Sequence, residues 1–202
     1  MTGDKVTITI SNPDTTRSCG GCTLCCRLLP VHGDLRVNGV DLPGNFYKRA
    51  GERCPHQRFK KGCAVYNKPG MPKSCKHWNC RWLTMDDTAD LHRPDRVHYV
   101  LDVIPDYITL NDPDDPVATH RDIPVIQVWV DPAFPEAWRD PALLAYLDRR
   151  GRDGYAALIR YDAKKAFTLL PPSLVDGQWH EIRNGTSVPE RPLAEFISKF
   201  GS

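Results

Sequence analysis

The sequence predicts an α+β protein: a loop-rich, cysteine-rich lobe packed on a small, mostly antiparallel sheet with a few helices. Three observations predict it. All eight cysteines fall between Cys19 and Cys80, in a stretch dense in Gly and Pro. After it, short β-branched and aromatic runs recur between turn signals. One amphipathic segment, residues 142–150, lies among those runs.

Taken in order, Val6-Thr7-Ile8-Thr9-Ile10 alternates like a short strand, and Ser11-Asn12-Pro13-Asp14 breaks it. Residues 1–18 thus read as an N-terminal strand and linker. Residues 19–83 have few periodic apolar stretches, so they bury too little apolar surface to order themselves cheaply. Helical turns are expected at 22–29 and 74–83. Residues 84–202 read as an α+β lobe forming one globular unit with the preceding segment. Strands are expected at 97–104, 107–110 and 125–130, the last ended by Asp131-Pro132. Asp140-Pro141 opens the helix at 142–150, where Leu143, Leu144 and Leu147 share a face and Gly151 follows. Residues 156–161 and 166–170 read as two strands around a turn at 162–165. Residues 192–200 read as a terminal helix.

Composition excludes several classes. With 41% hydrophobic and 26% charged residues, a packed core is expected rather than wholesale disorder. No apolar run approaches the roughly 20 residues of a membrane-spanning helix. The opening Met1-Thr2-Gly3-Asp4-Lys5 lacks the pattern of a secretory signal, so a cytoplasmic location is expected. The net charge of +2 argues against a polyanion binder by total charge. Charge is nonetheless segregated: residues 48–81 carry ten Lys/Arg against Glu52, and residues 101–141 carry nine acids against Arg121 and Arg139. The basic stretch coincides with the cysteines. Counter-charge for thiolates is the favoured explanation, and a surface for nucleic acid or an acidic partner is the alternative.

In a reducing compartment, eight clustered cysteines point to metal rather than to disulfides. The first group reads Cys19-Gly20-Gly21-Cys22-Thr23-Leu24-Cys25-Cys26, a C-x2-C-x2-C-C pattern, followed by Cys54, Cys63, Cys75 and Cys80. Two-residue spacing lets a pair of thiolates reach one metal across a tight turn, and glycine supplies the backbone freedom. Adjacent residues usually point apart, so Cys25 and Cys26 are expected to serve different sites, or different metals of one site. Eight thiolates divide naturally into two sets of four. Four thiolates suit an iron–sulfur cluster, [4Fe–4S] being favoured, and they also suit Zn²⁺.

His32, His56 and His77 are available as replacement ligands but read mainly as neighbours of the thiolates. Tyr66, Trp78 and Trp82 read as aromatic shielding of the site. Asp86, Asp87 and Asp90 read as a solvated turn rather than an acid–base pair, and residues 112–116 as a loop lacking a calcium-loop pattern. Asn184-Gly185-Thr186 fits a glycosylation sequon that a cytoplasmic chain does not use.

Residues 19–26, Cys54, Gly62-Cys63-Ala64-Val65-Tyr66 and the run from Pro72-Lys73-Ser74-Cys75 to Cys80-Arg81-Trp82 together resemble the CxxCxxCC zinc- or iron-chelating domain family. Its members are commonly described as Fe–S-cluster-containing proteins. The resemblance covers about residues 19–83. Met71 and Lys76 stand where the family pattern usually has Arg. The resemblance implies metal ligation by all eight cysteines. One branch, the flagellin lysine N-methylases, implies cluster-assisted methyl transfer. This chain carries no G-x-G-x-x-G loop for S-adenosylmethionine, so that activity is not carried over. The expectation is a metal-binding protein with an electron-transfer or redox role and a protein or small-molecule partner. The alternatives are a metal-dependent modifying enzyme or a structural zinc module.

Overall fold

Strand β7 (His120–Val130) organises the protein. Its residues alternate between two buried faces, as a period of two requires. Ile126, Val128 and Val130 join one cluster with Leu143, Tyr146, Leu147 and Ile159. Val125 joins a second cluster with Leu170, Leu174 and Val175. Trp129 joins a third, in which Cys22, Leu24, Leu28 and Cys80 meet Val100. The cysteine segment therefore covers the sheet face opposite the one covered by helix 141–152.

The structure is a computed structural model that describes residues 17–31, 36–37, 40–41, 47–111 and 120–183. The elements ahead of β7 are short: α1 (Leu24–Leu28), β1 (Arg36–Val37), β2 (Val40–Asp41), β3 (Gln57–Arg58), β4 (Gly62–Cys63), α2 (Lys73–His77), α3 (Arg81–Thr84), α4 (Pro94–Val97), β5 (Tyr99–Leu101) and β6 (Asp106–Asn111). After β7 come α5 (Pro141–Arg152), β8 (Ala156–Arg160), β9 (Ala166–Leu170) and β10 (His180–Arg183).

The main sheet has the order β10-β9-β8-β7-β5, with β6 also paired to β7. Strands β5 and β6 share one edge of β7, pairing with its C-terminal and N-terminal stretches respectively. On the other edge β8 runs parallel to β7, and α5 makes the crossover. All other pairs are antiparallel. The α+β class, with a mostly antiparallel sheet, is as expected.

Several details differ from the sequence reading. Of the segment expected as strand at 97–104 only Tyr99–Leu101 is strand: Val97 is the last residue of α4, whose first turn holds Pro94, and His98 follows it in the left-handed region at φ 62°. The helical turn expected at 74–83 is split into α2 and α3, since Trp78 is extended. Its indole Nε1 thereby donates to Asp102 at 2.7 Å. Helix α5 runs on through Gly151, where a side chain has no room: a Cβ there would lie 2.5 Å from Ser173 Oγ and 2.8 Å from Pro171 Cβ. The Asp140 carboxylate caps the helix by accepting from Ala142 N. The expected strand at 6–10 and helix at 192–200 lie outside the described residues.

Candidate metal centre

The cysteine loops are brought together by backbone pairing rather than by a large core. The Cys22 amide donates to the Cys19 carbonyl at 2.8 Å, closing the first turn. Segment 47–54 then runs back along the end of α1. Val31 and Lys48 exchange both backbone hydrogen bonds at 2.9 Å, Gly51 N donates to Leu28 O, and Cys54 N donates to Cys26 O at 3.1 Å. The last contact sets Cys54 beside Cys26. The β3–β4 hairpin, in turn, lies on the first loop. A Cβ on Gly21 would lie 2.6 Å from Lys60 O, and one on Gly62 would lie 2.6 Å from Gly20 O. Glycine at both positions is what permits this approach, and it carries Cys63 toward Cys19.

Helices α2 and α3 deliver Cys75 and Cys80. Cys80 caps the start of α3 and is buried in the cluster with Cys22 and Trp129. The buried Asp102 carboxylate anchors this part to the sheet. It accepts from Trp78 Nε1, from Trp129 Nε1 at 3.3 Å and from Ile104 N at 3.0 Å. Arg27, directly after Cys26, pairs with the buried Asp131 carboxylate at the end of β7. Arg17 donates to Trp82 O at 2.6 Å and to Thr88 O at 3.0 Å, closing the C-terminal end of α3.

All eight cysteines are free thiols. Their electrostatic neighbourhoods overlap. Cys80 is influenced by Cys19 and Cys22, and Cys25 by Cys26 first and then by Cys19 and Cys22. Cys75 is influenced by Cys26, Cys54 and Cys63, and Cys54 by Cys26 and Cys63. Cys19 is influenced by Cys22, Cys26 and Cys63, so the thiols form one continuous group. Adjacent Cys25 and Cys26 are hydrogen-bonded to each other, so they form a join rather than pointing apart.

Burial governs the thiol acidities. It pushes Cys19 up to about 11, with Cys22 and Cys26 adding to the rise. It likewise pushes Cys75 up to about 11 and Cys80 up to about 12. Cys25 is raised by donating to Cys26 and then by burial. Cys26 is the exception, lowered to about 7 by the Cys25 hydrogen bond, with Lys48 helping. Backbone amides oppose the burial effect, among them Leu24 at Cys22, His56 at Cys54 and Leu83 at Cys80. Amides directed at sulfur favour thiolate over thiol.

As a donor set, eight thiols suit thiolate-bound metal and are enough for two sites of four. As placed, no three Cys, His, Asp or Glu side chains among the described residues converge into a metal-binding group.

The remaining candidates separate. His77 is exposed at the end of α2, His56 is half-buried, and His32 lies outside the described residues. Trp78 and Trp82 pack against the thiol cluster as expected, whereas Tyr66 is exposed and does not shield it. Asp87 accepts from Tyr146 OH at 3.2 Å and lies 3.5 Å from Arg81, and Asp90 pairs with Arg149 at 2.8 Å. Both bind α5 to the 86–90 turn, which leaves them no acid–base pairing. Residues 112–116 and Asn184 lie outside the described residues. An open cavity of about 630 Å³ beside His98 and Phe134 contains no thiol. The sequence reading missed Lys48, whose burial depends on the non-local Val31 pairing, and Asp102, a single carboxylate with no motif around it.

No helix among the described residues is long and apolar enough to cross a membrane. Comparison with family models, with curated proteins and with solved structures gives no match.

Proposed function

We propose that this chain is a thiolate-ligated metalloprotein whose cysteine segment holds iron–sulfur clusters, of the [4Fe–4S] type, in an electron-transfer role. The observation that carries this reading is the gathering of eight free cysteines about one loop, where the Cys54–Cys26 backbone bond and the close approach of the β3–β4 hairpin to Gly20 and Gly21 bring the distant cysteines to the first group. Cys19, Cys22, Cys25 and Cys80 hold one site. Cys26, Cys54, Cys63 and Cys75 hold the other. A bound cluster supplies a reversible one-electron couple. The protein's own residues do the rest. Trp129, Val100, Leu24 and Leu28 exclude water from the first set, and the amides of Leu24, His56 and Leu83 stabilise thiolate charge. Likeness to the CxxCxxCC family supports the same ligand set.

Zinc in the same thiolates is the second reading, favoured by one feature. At the β3–β4 tip Phe59 is 71% exposed, and the Lys60 ammonium lies 5.3 Å from its ring centre, next to exposed Arg58 and Lys61. A structural zinc module would present this tip to nucleic acid or to an acidic protein.

Anaerobic reconstitution with ferrous iron and sulfide separates the two readings. The cluster reading expects a brown protein whose visible absorption is bleached by dithionite. A colourless chain that takes up only zinc and binds single-stranded DNA in a salt-sensitive way supports the second.

A further inference from the structure

The open cavity of about 630 Å³ lies where α4 meets the segment that follows β7. Its volume falls in the range of small-molecule sites. Hydrogen bonds pin its walls together. Asp131 N donates to His98 O at 2.9 Å, Phe134 N to Asp131 O at 2.8 Å, and Ala137 N to Phe134 O at 3.0 Å. Tyr161 OH, just past β8, donates to Pro135 O at 2.9 Å. The walls are thus set before any ligand arrives, which lowers the cost of binding.

His98 is the unusual residue of the rim. It holds the left-handed conformation directly after α4, a position where glycine is the usual choice. A histidine there lays its imidazole flat on Phe134, with ring centres 3.6 Å apart and planes 12° apart. The buried Asp131 carboxylate is 3.9 Å from His98 Nδ1 and is itself paired with Arg27. Phe134 stays 47% exposed despite the stack, so it gives the cavity an aromatic wall beside Val97, Ala133 and Pro135.

The charges on the rim sort unequally. Glu136 accepts from Arg139 Nε at 2.7 Å, and Arg139 also reaches Glu181 at 3.3 Å and stacks on the Trp138 ring. Asp140 accepts from Tyr99 OH at 2.8 Å and caps α5. Arg96, in the last turn of α4, is exposed, and its guanidinium has no ion pair among the described residues. The cavity therefore offers one free guanidinium next to an aromatic and apolar wall. A guanidinium fork matches one planar carboxylate through two parallel hydrogen bonds.

We propose that this cavity binds a small aromatic carboxylate, with its ring against Phe134 and its carboxylate on Arg96. The proposal does not rest on metal binding by the cysteines.

The test titrates the full chain with 2-naphthoate by isothermal calorimetry. As controls, 2-naphthamide lacks the charge and octanoate lacks the ring. The expected result is saturable one-to-one binding with a Kd below about 1 mM. Arg96→Gln should weaken it about tenfold or more, and Phe134→Ala several-fold. Both controls should bind at least several-fold more weakly than 2-naphthoate. Arg152→Gln removes a 73% exposed arginine that does not line the cavity, and it should bind as wild type. No saturation by about 5 mM overturns the proposal. So does wild-type affinity in Arg96→Gln, an equal loss in Arg152→Gln, or either control binding as tightly as 2-naphthoate.

A second measurement needs no variant, in case a substitution impairs folding. In the wild-type chain, 2-naphthoate should shift the amide resonances of residues 96–98 and 133–137. Shifts confined to other residues overturn the proposal.

Discussion

Cys25 and Cys26 share a hydrogen bond that raises the Cys25 thiol and lowers Cys26 to about 7. Cys25 is influenced by Cys26, Cys19 and Cys22, and Cys26 acts on Cys19, Cys54 and Cys75. If the two cysteines serve different sites, as proposed, single removals are separable. Cys25→Ser and Cys26→Ser are each expected to lose about half of the bound metal, from different halves. Metal analysis with mapping of the newly reactive thiols checks this. The same four thiols released in both variants would mean a single shared site.

The loops depend on close backbone approach, which predicts an effect of adding one methyl group. Gly21→Ala places a Cβ 2.6 Å from Lys60 O, an atom that a rotamer change cannot move. The hairpin should lift from the first loop, with metal retention falling several-fold and overall helix and strand content kept. Circular dichroism and chelator kinetics together test this. An alanine variant that retains metal at the wild-type rate shows that the hairpin need not sit there.

Asp102 ties the two parts together. Asp102→Ala leaves the buried Trp129 indole N–H, the half-buried Trp78 indole N–H and the Ile104 amide without their acceptor. A loss of about 3 kcal/mol in unfolding free energy is expected. Urea denaturation of the loaded protein measures it, and a loss below about 1 kcal/mol contradicts the anchoring role.

The metal-free chain should respond to pH with a definite sign. Cys19 and Cys75 are raised from 9 to about 11 and Cys80 to about 12, so their folded forms hold protons more tightly than the unfolded ones. Their contribution is fully present below pH 9 and is lost as pH rises toward 11 and 12. Cys26, lowered to about 7, behaves oppositely: its contribution is present above 9 and is lost as pH falls through 7. Alkylation at pH 8 should therefore mark Cys26 first among the eight. Equal labelling rates at Cys26 and Cys75 would contradict this ordering.

How much of this is legible in the sequence depends on the range of the interaction. Strand β7 is legible because Val125–Val130 form a run, apolar but for Gln127, that is buried on both faces, and β8 and β9 because Asp162 so clearly breaks them apart. Strand β10 is not legible, since His180 to Arg183 hold one apolar residue and owe their pairing to β9. The proposed ligand set rests on spacing and count. How the distant cysteines reach the first group is not legible, because it depends on Cys54 N meeting Cys26 O and on the hairpin meeting Gly20 and Gly21. Lys48 is hidden for the same reason. In the sequence it is one of ten basic residues between 48 and 81, and only the pairing with Val31 buries it.

The most direct test is metal and acid-labile sulfide content, with an absorption spectrum, on protein prepared without oxygen. Two thiolate sites of the cluster type predict brown protein with about four iron and four sulfide per site. Folded protein holding less than one metal ion per chain would contradict metal ligation by these eight cysteines altogether.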